Sequence, residues 1–568
     1  MYVMKFLSFF LLYACFSVAQ TQYPQDYFGF PLDVPMQLSG NFGELRPNHF
    51  HAGFDFKTLQ REGLKVYAVA DGYVSRIKIS TFGNGKAIYI THPNGYTSVY
   101  CHLQNAQGSI DDYIKKAQYK EQSFEIELFP KATDLVVKKG EIIGLSGNTG
   151  SSEGPHLHFE FRDSKTEKII NPMLFGYDKN MTDTKKPTVS AIYVYPLGNN
   201  TVVNKSKRPL LLSLVLQKDG SYLANKVAAN GQIGFGVTAV DYDNVSFNKN
   251  GVYKVQAFLN GKLNFGYQFD TYSFDDMRYI NALVDYPTYR KTYQRVQKLF
   301  MTNPYKLSIL KTDESNGVIN VVPNLSSVYR IEVSDFYGNK TTVSVPISFD
   351  LTTPVVAKEV VESNYFVKVN KDNIFSKNNM SVFFPAGTFY ENFEMNFDVK
   401  GDTLFLHDDT VPVHSYFTVT IEDDKYTAAQ KEKMYIADID KSGRKGYNAT
   451  TIKGNVFSTR TRSLGKYTLT SDTVAPSVTI SNSIENKWIS SQKTLQLTIS
   501  DSGSGIKSYN GYLNGKWILF EHDSKTKKIT HNFSDGIVAE GANDLKIIVT
   551  DNVGNSTTFE THFFRSQK

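Results

Sequence analysis

The chain of 568 residues is too long for a single hydrophobic core, because domains usually contain roughly 100–200 residues, so we expect three to five domains. Aromatic residues make up 14% of the sequence and charged residues 21%, which favours β-rich globular domains over disorder or a coiled coil. The formal net charge of +6 is small and spread out, so the sequence carries no basic footprint of the kind that binds nucleic acid.

The N-terminus has the pattern of an export signal. An apolar run from Phe6 to Ala14 precedes a small-x-small site at Ser17-Val18-Ala19, so we predict a signal peptide over residues 1–19. Cys15 faintly resembles a lipoprotein processing site, but the bulky Tyr13 stands where small residues are usual, and we favour export without lipidation. No later segment has the roughly 20 apolar residues that a spanning helix needs. We therefore expect an exported protein of the periplasm, cell envelope or extracellular space.

Histidines concentrate near the N-terminus. Six of the 11 fall before residue 160, at His49, His51, His92, His102, His156 and His158. The stretch "NHFHAGFDFKT" is predicted to be a strand in which His51, Gly53 and Asp55 share one face. Two metal-ligand side chains would then flank a residue without one, leaving a gap that can admit an ion. His49 and His51 also form an H-x-H pair, which is weak evidence by itself.

A second polar strand is predicted further along the chain. The stretch "GPHLHFEF" places His156 and His158 on one face and directs Leu157 and Phe159 into the core. If the two strands are neighbours, imidazole and carboxylate groups come together as in sites for first-row metal ions, of which zinc fits best.

Together with the segments "VYAVADGYVSRI", "GYTSVYCHLQ" and "VVKKGEIIGLSGNTG", these strands resemble the M23 family of zinc metallopeptidases, the LytM/lysostaphin-type peptidoglycan endopeptidases. The resemblance covers roughly residues 25–180. It implies one zinc ion per chain held by His51, Asp55 and His158, with His102 and His156 beside the metal-bound water. The roles of base and oxyanion donor are not assigned between these two histidines. His49 has no family counterpart and is interpreted as a neighbouring polar residue.

Two other catalytic interpretations are disfavoured. Cys101 precedes His102, but adjacent strand residues face opposite sides, so Cys101 is predicted to be a buried core residue. The glycines of "LSGNTGSSEG" lack the lysine of a phosphate-binding loop and are interpreted as a turn that leads into the "PHLHF" strand.

An insertion follows His102. The stretch "QNAQGSIDDYIKKAQYKEQSFEIELFPKATD" contains a short amphipathic helical pattern from Ser109, and we expect it to border the cleft.

Downstream, three D-x-x-x-P sequences mark the starts of modules. They are "DTKKP" at residue 183, "DLTTP" at 350 and "DTVAP" at 472. The first and third modules share "LNGK" and aspartate-rich turns between alternating apolar runs, and they resemble immunoglobulin-like bacterial surface modules. "DDMRYINALVDYPTYRKTYQRVQKLF" is predicted to be a helical insertion in the first module. Acidic "LHDDT" and "IEDDK" in the second lack ordered calcium-ligand spacing and are interpreted as exposed turns.

The predicted architecture is all-β and mainly antiparallel, a LytM-type β-sheet catalytic domain followed by three β-sandwich modules. The predicted boundaries are 20–182 for the peptidase domain, 183–349 for the first module, 350–471 for the second and 472–568 for the third. We also expect the isolated segment from Gln20 to about residue 182 to fold and bind zinc by itself.

Two functions remain open. The first is a secreted zinc metalloendopeptidase that hydrolyses the peptide cross-links of bacterial peptidoglycan, with the sandwiches positioning it on the wall or beside an envelope protein partner. The second is a non-catalytic peptidoglycan-binding or scaffolding protein that regulates other wall hydrolases. All five family positions are occupied here, which favours the enzyme.

Overall fold

The computed structural model describes residues 23–351, 353–357 and 363–566. The predicted signal peptide and Cys15 lie outside these residues. Within them strands dominate and most strand pairs are antiparallel, so the predicted fold class is confirmed. None of the described helices has the length and apolarity needed to cross a membrane.

The N-terminal domain is built around one large antiparallel sheet. Its strands β1 to β14, in order, are Leu38–Gly40, Leu45–Arg46, His49–Phe50, Phe54–Lys57, Lys65–Tyr67, Gly72–Ile79, Lys86–Thr91, Tyr96–Cys101, Asn105–Ala106, Ile126–Leu128, Val136–Val137, Ile142–Leu145, His156–Asp163 and Ile169–Ile170. The large sheet has the order β1-β4-β13-β8-β7-β6-β10, and β5-β12-β9 form a smaller one. Helix α1 is Gly108–Glu121, and 3-10 turns lie at Pro172–Phe175 and Tyr177–Asn180.

The predicted strand at "NHFHAGFDFKT" is interrupted. Strands β3 and β4 are separate, and His51, Ala52 and Gly53 between them belong to neither. A β-carbon on Gly53 would lie 2.1 Å from the carbonyl oxygen of Phe159, so the glycine allows the chain to pass directly against β13. The expectation that Gly53 leaves room for a metal ion was therefore wrong: backbone fills that space.

The first module contains a twelve-stranded sheet within the described residues. The strands of the module, β15 to β27, are Thr188–Val203, Leu210–Leu212, Leu214–Leu216, Tyr222–Ala224, Val227–Val240, Lys254–Leu259, Lys262–Gln268, Thr271–Tyr272, Gln297–Lys298, Leu310–Thr312, Ile319–Val321, Ser326–Ser334 and Lys340–Phe349. All of them except β22 belong to the twelve-stranded sheet. The predicted helical insertion is present as a 3-10 turn, Phe274–Tyr279, followed by α2, Ile280–Leu283, and α3, Tyr286–Thr292.

The N-terminal domain and the first module share a core. Strand β14 pairs with β22 of the module, and the ring of Phe50 lies 5.4 Å from that of Phe269. The hydroxyl of Tyr272 donates a buried hydrogen bond to the carbonyl oxygen of His51. Buried side chains of both units form one continuous hydrophobic cluster, so the two pack as parts of one body.

The second module packs two five-stranded antiparallel sheets around its own core and has a further two-stranded sheet. The third packs a four-stranded and a five-stranded sheet, mainly antiparallel, around a separate core. Strands β28 to β39 of the second are Phe366–Val367, Asn373–Lys377, Met380–Phe384, Phe393–Glu394, Phe397–Lys400, Thr403–Leu406, Phe417–Glu422, Met434–Ile439, Lys445–Tyr447, Thr450–Lys453, Val456–Thr461 and Gly465–Ser471, with α4 at Ala428–Lys431. Strands β40 to β48 of the third are Ser477–Thr479, Lys487–Trp488, Thr494–Ser500, Ile506–Leu513, Lys516–Ile518, Glu521–Asp523, Lys528–Asn532, Gly541–Asp551 and Ser556–Arg565, with a 3-10 turn at Phe533–Asp535.

The repeated "LNGK" sequences form the same turn in the first and third modules. Asn260 and Gly261 connect β20 to β21, Asn514 and Gly515 connect β43 to β44, and all four have positive φ. Two consecutive residues with positive φ match a type I′ turn, whose twist suits a two-residue hairpin and favours Asn-Gly.

The insertion after His102 contacts the third module. Its predicted helix is confirmed as α1, where the ring of Tyr119 lies 5.4 Å from that of Trp517 and its hydroxyl donates to Asp535. The ammonium group of Lys86, on neighbouring β7, pairs with Glu521 at 2.8 Å. The insertion does not line the cleft described below, so the expectation that it borders the cleft was wrong.

Candidate metal centre

Strand β13 carries the polar face on which the site is built. Leu157, Phe159 and Phe161 are fully buried on its inner face, as the period-two pattern predicts. His156, His158 and Glu160 alternate with them on the opposite face. On β4, which pairs antiparallel with β13, Asp55 lies directly opposite His158. The pairing thus brings together two groups that are about 100 residues apart in the sequence.

Three donor atoms converge beside this strand pair. Oδ1 of Asp55 lies 3.0 Å from Nε2 of His51 and 2.8 Å from Nδ1 of His158, and the two nitrogens are 3.0 Å apart. All three residues are buried. Two imidazole nitrogens and one carboxylate oxygen are a donor set that zinc accepts in sites that keep a coordination position open. The residues present therefore fit a zinc ion.

In His51 and His158, the ring nitrogen that faces away from Asp55 contacts a hydrogen-bond acceptor. Nδ1 of His51 lies 2.7 Å from the carbonyl oxygen of Asn41, and Nε2 of His158 lies 2.9 Å from Oε1 of Glu160. Because these oxygens accept, each ring carries a proton there, and its other nitrogen faces Asp55. Such contacts orient metal-binding histidines and increase their basicity. Glu160 is in turn bound by the guanidinium of Arg162.

His158 is the histidine of the donor set that favours its protonated form. Burial opposes ionisation of His158, but hydrogen bonds to Asp55 and Glu160 raise its pKa to about 9. The additional proton lies on the ring side that faces Asp55 and His51, where a metal would bind, so metal binding must displace it. Arg46 donates to Oδ2, the second carboxylate oxygen of Asp55. Burial alone would raise the pKa of Asp55, yet its contacts with the three histidines hold that pKa well below its ordinary value.

His102 and His156 lie beside the three donors. Their ring centroids are 4.8 Å apart, and Nε2 of His156 lies 3.5 Å from Oδ1 of Asp55. Nδ1 of His102 donates to the carbonyl oxygen of Thr149, 2.9 Å away, which leaves its Nε2 as the acceptor of a neutral ring. Burial and the neighbouring His158 and His156 lower the pKa of His102 to about 3, so this ring is neutral at pH 7.

Backbone geometry fixes the position of His102. Its φ is +59°, which is uncommon for a residue other than glycine, and it follows the last residue of β8 directly. Nδ1 of His156 is held by the carbonyl oxygen of Gly154 at 2.8 Å, and Oγ of Ser152 lies 3.2 Å away. The loop before β13 therefore orients both histidines.

The site opens into a cleft of 1310 Å³. Arg46, His49, Lys57, Ser152 and Glu153 are among its lining residues. The first module contributes Asn248, Phe274 and Met277 to the wall. A segment outside the predicted peptidase domain therefore shapes the cleft, which no sequence pattern indicated.

The remaining early histidines are not among the converging donors. His49 is exposed on the cleft wall, with its Nδ1 2.8 Å from the carbonyl oxygen of Pro47. His92 is buried elsewhere between the carbonyl oxygen of Asp71 and the hydroxyl of Ser98. Cys101 is fully buried, as predicted. Sequence reasoning missed Arg46 and Asn41, but Glu160 could have been found, because it continues the i, i+2 face of His156 and His158.

Comparison with known families accounts for two parts of the chain. Residues 49–119 and 130–172 match the family model for peptidase family M23. The chain contains a peptidase family M23 domain. The gap in the match, residues 120–129, begins at the end of α1 and lies within the insertion. Residues 364–472 match a Zu5-like domain, which lies in the second module.

Individual relatives each match about a quarter of this chain. An uncharacterized metalloprotease of Haemophilus influenzae is 35% identical over 147 residues, 25% of this chain and 25% of the relative. The peptidoglycan DD-endopeptidase ShyC of Vibrio cholerae is 31% identical over 167 residues, 28% of this chain and 32% of the relative. The crystal structure of a zinc containing peptidase from Vibrio cholerae is 27% identical with a TM-score of 0.20, covering 26% of this chain and 40% of that one. The chain thus spans a quarter to a third of the length of the curated relatives it matches first.

Proposed function

We propose that this chain is an exported zinc metalloendopeptidase that hydrolyses peptide cross-links of bacterial peptidoglycan. The observation that carries the proposal is the convergence of His51, Asp55 and His158 within 3.0 Å of one another, in an open cleft beside two further histidines. The M23 match and the relative named as a peptidoglycan DD-endopeptidase support the substrate class.

Zinc bound by His51, Asp55 and His158 would act as a Lewis acid towards the amide carbonyl and lower the pKa of water towards roughly 7. Glu160 and the carbonyl oxygen of Asn41 keep the two ligand imidazoles oriented. Arg46 balances part of the negative charge of Asp55.

His102 and His156 act on the reacting groups. Nε2 of His102 is an unprotonated acceptor that can orient the attacking water by accepting its hydrogen bond. Nε2 of His156 lies 3.5 Å from Oδ1 of Asp55, and an N–H group of this imidazole can donate to the oxyanion that develops on the scissile carbonyl. The loop contacts through Thr149 and Gly154 fix both rings before substrate binds.

The test measures metal and turnover on the same preparations. The mature chain, from residue 20, is purified with zinc, its metal content is determined by elemental analysis, and purified peptidoglycan is digested and examined by mass spectrometry. We expect one zinc per chain and new peptide termini at cross-links, beginning with DD cross-links. Asp55→Ala should deplete zinc and abolish cleavage. A wild-type chain that holds zinc and binds peptidoglycan but releases no new termini would instead establish the scaffolding function.

A further inference from the structure

A second cluster of acidic side chains lies where the first module meets the M23 domain. Carboxylate oxygens of Asp183, Asp241 and Asp335 all lie within 4.8 Å of one another, and all three residues are buried. Asp183 begins the D-x-x-x-P sequence, Asp241 follows β19 and Asp335 follows β26. The turn that contains Asn339 ties two of them together, because its Nδ2 donates to Oδ2 of Asp335 and to the carbonyl oxygen of Asp183.

The cluster surrounds a small cavity, and two oxygen atoms of its lining residues have no hydrogen-bond partner in the part of the chain that the structure describes. Asp183, Asp241, Asp335 and Asn250 line a cavity of about 30 Å³, sufficient for one ion or water molecule. Oδ1 of Asp241 and Oδ1 of Asn250 have no hydrogen-bond partner among the described residues. Asp241 is 7% exposed and Asn250 is 5% exposed, so bulk water does not readily satisfy these atoms.

No cationic side chain in the described part of the chain forms an ion pair with Asp183, Asp241 or Asp335. Lys185 is nearby, but its ammonium group donates to the carbonyl oxygen of Asp243. Burial, together with the charges of Asp335 and Asp183, raises the pKa of Asp241 to about 7. Buried carboxylates that repel one another are destabilising unless a proton or a cation neutralises them.

We propose that Asp183, Asp241 and Asp335, with Oδ1 of Asn250, bind a calcium ion at the junction between the M23 domain and the first module. The donors are all oxygen atoms, carboxylate and amide, which hard cations prefer and which differ from the imidazole-containing set at the zinc site. Calcium tolerates irregular oxygen cages, whereas magnesium requires near-octahedral geometry and retains much of its water.

The position of the calcium site connects it to the catalytic domain. Asn250 exchanges two backbone hydrogen bonds with Asp241. The next residue, Gly251, exchanges two hydrogen bonds with the side chain of Asn41, at 2.7 and 2.8 Å. The carbonyl oxygen of Asn41 in turn holds His51. An ion that fixes Asp241 and Asn250 therefore also fixes the segment that supports this zinc ligand.

The test uses the full mature chain with its zinc site filled, freed of calcium by dialysis. Bound calcium is counted by equilibrium dialysis with radioactive calcium at about 1 mM free ion, a concentration at which extracellular calcium modules are filled. Asp241→Asn, which preserves shape and removes one charge, should bind one calcium fewer per chain than the wild type. Asp219→Asn is the matched control, because Asp219 is an exposed turn residue of the same module that bonds to Ser221.

Melting curves show that each variant is folded and give a second measurement. Calcium should raise the melting temperature of the wild type and of Asp219→Asn more than the same concentration of magnesium does. We expect no such shift from this site in Asp241→Asn or Asp335→Asn. Equal numbers of bound calcium ions in the wild type and Asp241→Asn would overturn the proposal. The cavity would then be explained by a water molecule or by a proton shared between the carboxylates. The two measurements are calcium content and melting temperature. A negative result would therefore reject the calcium site without bearing on whether the chain cleaves peptidoglycan.

Discussion

At the residue scale, the orientation of the imidazoles depends on groups outside the zinc donor set. His51, His102 and His156 each have Nδ1 close to a backbone carbonyl oxygen, whereas Nε2 of His158 is held by a carboxylate. Backbone acceptors cannot be removed by changing a side chain, but Glu160 can. The site therefore offers separate tests of metal binding, of ring orientation and of catalysis.

Removing either non-ligand histidine should separate catalysis from metal binding. His102→Ala and His156→Ala should retain about one zinc per chain, because neither residue belongs to the converging donor set. Cross-link cleavage should fall by about 10²–10⁴-fold, the usual effect of losing a positioned acid, base or oxyanion donor. Elemental analysis and peptidoglycan digestion of the same samples check both expectations. Cleavage near the wild-type rate in both variants would contradict the assigned roles.

Replacing Glu160 should weaken zinc binding without removing a ligand. Glu160→Gln loses the carboxylate that orients His158, and such contacts typically contribute about 10–100-fold to metal affinity. Competition with a chromophoric chelator measures the affinity. Glu167→Gln is the matched control, because Glu167 is an exposed carboxylate that also pairs with Arg162. Equal affinities in the two variants would show that the Glu160 contact has no effect on the metal.

The acidic cluster predicts a specific dependence of stability on pH. In calcium-free protein the folded-state pKa of Asp241, about 7, lies above its unfolded value of roughly 3.9. The folded state therefore holds more protons, and this contribution to stability, complete below pH 4, is lost as pH rises through 7. The charged groups that act on Asp241 are Asp335, Asp183 and Asp243, and Lys185 acts on the neighbouring Asp183.

Asp241→Asn removes this titration. Without calcium, the melting temperature of Asp241→Asn minus that of the wild type should be larger at pH 8 than at pH 5. Added calcium should reduce this difference at pH 8. Calorimetric melting at both pH values measures it. A difference that is the same at pH 5 and pH 8 would contradict the prediction.

At the element scale, the polar face of β13 was predictable and the segment before β4 was predictable only in part. His156 and His158 alternate with fully buried Leu157 and Phe159, so the period of two defines their face. The run from His51 to Gly53 has the same apparent alternation, but it bends because β13 presses against Gly53. Periodicity reports which residues avoid the core, and it contains no information about a neighbouring backbone 100 residues away.

Helix α1 illustrates the same distinction. Its amphipathic pattern predicted the helix, but the sequence could not identify the surface that the partly buried Tyr119 contacts. Tyr119 packs on Trp517 of the third module instead of bordering the cleft.

Tyr119→Ala should therefore loosen the third module from the M23 domain. In a Trp488→Phe background, Trp517 is the remaining tryptophan of the chain, and its fluorescence should shift to longer wavelength when the contact with Tyr119 is lost. Lys116→Ala, on an exposed position of the same helix, is the control and should leave the emission unchanged. An unchanged spectrum in the Tyr119 variant would show that the two units do not pack in this way in solution.

At the scale of the whole molecule, the first module packs against the M23 domain through a shared core. The sequence showed a polar, proline-containing segment at residues 183–187 and therefore predicted separable units. The buried contacts between Phe50 and Phe269, and between Tyr272 and the backbone of His51, join residues more than 200 positions apart. The composition of a linker shows that the segment itself is polar and exposed. It does not show whether the two domains that it joins pack against each other.

The consequence is testable by truncation. Residues 20–182 alone would expose Phe50 and leave the carbonyl oxygen of His51 without its tyrosine, so we expect aggregation or a non-cooperative thermal transition. Residues 20–349 retain both contacts and should melt cooperatively and bind zinc. Circular dichroism melting and elemental analysis of the two fragments make the comparison. A shorter fragment that folds and binds zinc as well as the longer one would restore the division predicted from the sequence.

The contact between Lys525 of the third module and Asn148 connects that module mechanically to the loop that holds His102. The ammonium group of Lys525 donates to both oxygens of Asn148, and the next residue, Thr149, holds Nδ1 of His102 through its carbonyl oxygen. A single peptide unit separates the two contacts. If the third module is anchored to a stretched cell wall, tension applied there pulls on the loop that aligns His102, so under the proposed function the load on the wall acts on the alignment of this histidine.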